Sequence, residues 1–139
     1  MTKRNVVLAG LVGGLSMLAG ASSDAHHAVQ ASVDIDKVIE AKAILTRIDW
    51  VNPHTWMRFD VTGPDGKVTK IDVESLGIAA LRKVGIDSKS ALKVKSEYAI
   101  SYYPNRNGVP GGFMYKMVLP DGRVFDTKNT DPAAIGLTQ

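Results

Sequence analysis

Gly63-Pro64-Asp65-Gly66-Lys67 constrains the fold of this chain more than any other five residues. Proline sets the first turn dihedral, Asp favours the next position and Gly66 can enter the left-handed region, so the segment predicts a three-residue hairpin loop. Pairing Gly63 with Lys67 fixes the register of the strands on either side. Phe59 then faces Ile71, Met57 faces Val73, Arg58 faces Asp72 and Asp60 faces Lys70. Such cross-strand pairs contribute about 0.2 to 1 kcal/mol each, and a slip of one residue would undo all four. The strand Thr55 to Val61 therefore turns Met57, Phe59 and Val61 to the core and Trp56, Arg58 and Asp60 away from it.

Other segments extend the pattern. Ile44, Thr46, Ile48 and Trp50 alternate with Leu45, Arg47 and Asp49, the two-residue period of a strand, until Asn52-Pro53 breaks it. Ser75 is a plausible N-cap for a short helix over Leu76 to Val84, with Ile78, Leu81 and Val84 inward and Gly85 just past its end. Strand character returns at Tyr98 to Tyr103 and Phe113 to Leu119, around a polar, glycine-rich loop from Asn105 to Gly112. Leu119-Pro120-Asp121-Gly122-Arg123 repeats the turn chemistry before a last edge strand at Val124-Phe125. Three meander strands, a helix and two or three more strands predict a mostly β domain: a small OB-like, five- to six-stranded, partly open barrel, with its one short helix between the third and fourth strands.

Lys3 and Arg4 followed by the apolar run Val6 to Leu18 read as a secretory signal peptide, too short to span a bilayer comfortably. Cleavage after Ala21 or after Ala25 fits the small-residue rule. The expected organisation is a signal peptide over 1–25, a single domain over 26–128 and a loose tail over 129–139, with the product periplasmic or secreted and not inserted in the membrane. The chain has no cysteine, so it has neither disulfides nor thiolate ligands. Of its 17 basic and 14 acidic side chains, 15 and 13 remain once Lys3, Arg4 and Asp24 are set aside. These are interspersed, with no basic run to track phosphates, so nucleic acid is not the expected partner.

Nucleophile and phosphate-loop motifs are absent, which argues against an enzyme. Histidine occurs only at His26, His27 and His54. An exported protein without thiols must bind metal through nitrogen and oxygen, and imidazole suits copper, zinc and nickel. Cleavage after Ala25 would leave His26 with a free amine beside its ring. His26, His27 and His54, with Glu74 as an oxygen ligand, thus form a candidate Cu(II) site. The competing reading makes His26 and His27 loose terminal residues and His54 a turn residue bonded to the backbone. Trp50, Asn52 and Trp56 are candidate binding residues, because an exposed indole beside Glu74 would offer a platform to an envelope protein or glycan. Catalysis would require His54 and Glu74 to meet in one pocket.

Several of these features together resemble the DUF6152 family of small secreted bacterial proteins: Ala25-His26-His27, the segment Trp50-Val51-Asn52-Pro53-His54-Thr55-Trp56, both Pro-Asp-Gly turns, and Glu74 before Ala79-Ala80-Leu81-Arg82. The resemblance covers most of the chain after the signal. It implies export, one strand-rich domain and cleavage before His26, and brings no activity. The chain departs from the family pattern at Ala28, where relatives tend to carry Ser, and at Val94-Lys95, where they tend to carry Pro-Gly.

Overall fold

The computed structural model describes residues 29, 31–83, 85–86 and 91–127. The strands β1 (Ile39–Asp49), β2 (Trp56–Thr62), β3 (Val68–Glu74), β4 (Glu97–Pro104), β5 (Gly111–Val118) and β6 (Val124–Asp126) form the sheet, and a short helix, α1 (Ile78–Lys83), lies between β3 and β4 in the chain. Antiparallel pairing runs β3-β2-β1-β4-β5-β6, and a parallel contact between β3 and β5 closes the first five strands into an OB-like barrel. β6 is an added edge strand.

The hairpin register is the expected one: Phe59 opposes Ile71, Met57 opposes Val73, Arg58 opposes Asp72 and Asp60 opposes Lys70. The Gly63 amide donates to the Lys67 carbonyl at 2.8 Å and Gly66 takes a φ of 78°. Met57, Phe59, Ile71 and Val73 are buried as their parity requires. Each such side chain stabilises the fold by about 1.5 to 3 kcal/mol when removed from water.

β1 departs from the simple alternation. It begins at Ile39, and its register to β2 shifts between Leu45 and Arg47. Thr46 is the extra residue, and its hydroxyl donates to the Arg58 carbonyl at 3.1 Å. A bulge of this kind reverses which parity faces the core. Ala43 and Leu45 are buried before it, whereas Ile48 and Trp50 pack against the core after it. Ile44, on the same face as Ile48 in an unbroken strand, is instead 44% exposed.

Leu81 is the buried residue of α1, and Gly85 follows that helix with a φ of 82°. Before β4, Lys95 adopts a φ of 68° while its amide donates to Leu45 at 2.7 Å. That left-handed conformation costs a side-chain-bearing residue about 1 to 2 kcal/mol. Tyr98 steadies the same corner by accepting from the Lys93 amide at 2.7 Å and donating to the Lys93 carbonyl. The expected signal peptide and C-terminal tail lie outside the described residues.

Candidate functional site

The segment from Trp50 to Thr55 links β1 to β2 and contains a cis bond between Asn52 and Pro53. It rests on the start of α1. A Cβ on Gly77 would overlap the Pro53 carbonyl oxygen and would lie 3.5 Å from Asn52 Oδ1, so only glycine lets the two backbones touch. Beyond the cis bond, the Ser75 amide donates to Thr55 at 2.8 Å and the Thr55 amide donates to Leu76 at 3.2 Å. These bonds continue the β2–β3 ladder one step past its named strands. They also bring His54 beside Glu74.

His54 Nδ1 meets Glu74 Oε1, and the two side chains are only 14% and 18% exposed. The imidazole stands edge-on to buried Phe113, with ring centroids 6.3 Å apart. Glu74 thus takes His54 as its partner. The alternative of a turn histidine held only by backbone does not describe this contact. Below the pair, the hydroxyls of Thr55 and Ser75 are buried without hydrogen-bond partners, each at a cost of about 1 to 3 kcal/mol. Because both residues are fully buried, neither hydroxyl can meet a substrate as a nucleophile activated by His54.

Trp56 opens β2 on the outer face and is 41% exposed. Its cross-strand neighbours are Asp49 on β1 and Glu74 on β3. Directly opposed residues of antiparallel strands share a face, so an exposed indole lies between two carboxylates. A side chain holds each of them: Arg47 Nε donates to Asp49 Oδ1 at 2.7 Å, and His54 Nδ1 meets Glu74. The next rows of the face carry Arg58, bridged to Asp72 at 3.1 Å, and Asp60 opposite Lys70. Gly111 pairs with Asp72 and brings the β4–β5 loop to the edge of this surface. That loop is braced internally, with Asn105 Nδ2 donating to the Val109 carbonyl at 3.1 Å and the Val109 amide donating to Asn107 Oδ1 at 3.0 Å.

Of the residues singled out in the sequence, His54, Glu74 and Trp56 come together. Asn52 is exposed on the adjoining loop, while Trp50 turns to the margin of the core and offers no free indole face of the kind Trp56 does. His26 and His27 lie outside the described residues. Among the described residues no three His, Asp or Glu side chains converge as a metal cage. Asp49 was not legible as part of the site, because the bulge at Thr46 decides which way it faces; the alternation at the end of β1 was the available signal. Phe113 and Gly77 enter through contacts distant in sequence.

The model of a family described as "Family of unknown function (DUF6152)" matches residues 15–114. A comparison with curated proteins gives no match.

Proposed function

The chain belongs to the DUF6152 family, and we propose that it is an exported, OB-like binding module that takes an envelope glycan on the row Asp49, Trp56 and Glu74. The observation that carries this reading is the exposed indole flanked by two carboxylates whose orientations are fixed by Arg47 and His54. Sugar rings present an apolar face to an aromatic ring and hydroxyl donors at their edges, which is the complement of that row. OB barrels bind oligonucleotides and oligosaccharides on the strand 2–3 face, between the loops joining strands 1–2 and 4–5. Fold alone assigns no ligand, and here charge selects between the two. Arg58 and Lys70 are outnumbered by Asp60, Asp72 and Glu74, so the face does not attract a phosphate backbone.

Trp56→Ala is expected to weaken binding of soluble cell-wall oligosaccharides at least tenfold, as loss of a central aromatic anchor does, with the unfolding midpoint nearly unchanged. Fluorescence and calorimetric titration of the processed protein read the first quantity, and thermal unfolding reads the second. Equal affinity in the variant, or no binding of any such oligosaccharide by the parent, sinks the glycan reading.

The contact between His54 and Glu74 favours a second reading, in which His54, His26 and His27 hold Cu(II). A metal-ligating imidazole commonly donates its other ring nitrogen to a carboxylate, the role Glu74 would take in place of direct ligation. This reading expects His54→Ala to reduce Cu(II) affinity at least tenfold in isothermal titration of protein beginning at His26. Affinity equal to that of the parent removes His54 as a ligand.

A further inference from the structure

On the β1–β4–β5 side of the barrel the strand register builds a two-by-three grid. Glu40, Ser101 and Lys116 form one row, and Lys42, Ala99 and Val118 form the next. β4 thus contributes the small residues Ser101 and Ala99 to the middle of a face whose outer strands carry long side chains. The result is an open recess of about 360 Å³ running along β4, within the size range of small-molecule sites.

Its polar groups find no partner among the described residues. Ser101 is only 7% exposed, yet its hydroxyl finds no side-chain or backbone partner among the described residues. Glu40, Lys42 and Lys116 make no ion pair among the described residues. The contrast with Arg58 and Asp72 is instructive. Those two stand on adjacent strands and bridge at 3.1 Å. Glu40 and Lys116 stand on either side of β4, about 9.5 Å apart at the backbone, with a short serine between them. Opposite charges at that spacing leave room for a molecule bearing both signs.

We propose that this recess binds a small zwitterion the size of an amino acid or a dipeptide. Its carboxylate lies between Lys116 and Lys42, its ammonium group meets Glu40, and the Ser101 hydroxyl donates to the carboxylate from the floor. A phosphate or other polyanion is disfavoured because Glu40 stands in the row with Lys116. The site is separate from the Trp56 face and does not depend on the glycan reading.

Titration of the ¹⁵N-labelled full chain with alanyl-alanine tests the proposal. Amide shifts are expected at Glu40, Lys42, Ala99, Ser101 and Lys116, with acetate and methylammonium binding at least tenfold more weakly than the dipeptide. Removing one charged hydrogen bond costs about 1.5 to 3 kcal/mol, so Lys116→Met and Glu40→Gln should each weaken binding about ten- to hundredfold. Both changes lie at partly or fully exposed positions, and an unchanged spectrum away from the recess checks that the fold survives. The proposal is overturned if the dipeptide causes no shifts at these residues, if acetate binds as tightly, or if either variant binds like the parent.

Discussion

Gly111→Ala is expected to destabilise the protein by about 3 to 5 kcal/mol, a large part of the margin by which a domain of this size is folded. Gly111 has a φ of 121°, a conformation costing a residue with a Cβ about 1 to 3 kcal/mol. An added Cβ would also overlap the Asp72 carbonyl oxygen on β3, and the neighbouring Gly112 is pressed as closely on Tyr103 of β4. The collision falls on backbone, so no side chain can swing aside. β3 and β5 must part at Asp72, Val73 and Glu74, the only residues of β3 in that parallel contact. The hydrogen bonds lost there add about 0.5 to 1.5 kcal/mol each. Urea and thermal unfolding followed by circular dichroism would show a midpoint lowered by roughly 10 °C or more. A change below about 1 kcal/mol would mean that the β3–β5 contact does not close the barrel in this way.

Gly77→Ala is expected to act mainly on the ligand face. Gly77 has no positive φ to lose, so its backbone accepts alanine, but the new methyl group would occupy the place of the Pro53 carbonyl. The link from Trp50 to Thr55 must move, and His54 moves with it, away from Glu74. Overpacking of this kind costs about 1 to 3 kcal/mol of stability. Oligosaccharide affinity should fall about tenfold or more, because displacement by an ångström is enough to spoil an oriented site. Calorimetric titration alongside urea unfolding separates the two effects. Parent-like affinity would show that the β1–β2 link takes no part in binding and would confine the site to the strands.

The two substitutions differ in how far the sequence could have foretold them. Gly66 announced its role through its neighbours Pro64 and Asp65, because a turn is decided within a few residues. Gly111 and Gly77 carry no such local mark. Each is required by a backbone far away in the chain, at Asp72 and at Pro53. The same distinction runs through the candidate site. Trp56 and Glu74 could be set opposite one another by counting from the hairpin turn, since period-two alternation propagates register along both strands. Asp49 could not be added to them, because one extra residue at Thr46 inverts the faces of β1 and nothing near Thr46 signals it. The outward turn of Trp56 follows from the same count, and it is 41% exposed, whereas the side taken by Trp50, at the core margin, depends on the bulge in β1.

By itself, then, the sequence determined what short-range physics controls: the hairpin and its register, the inward parity of Met57, Phe59, Ile71 and Val73, the short helix before β4, and the mixed charge of the β2–β3 face. Tertiary structure alone decided the closure of β3 on β5, the meeting of His54 with Glu74, the indole between two carboxylates, and the recess over Ser101. The closure and the β1–β4 side of the recess join strands far apart in the chain, while the places of His54 and Asp49 turn on the β1–β2 link and the bulge at Thr46, so steric fit and hydrogen bonding in the closed barrel, rather than local preference, set them in place.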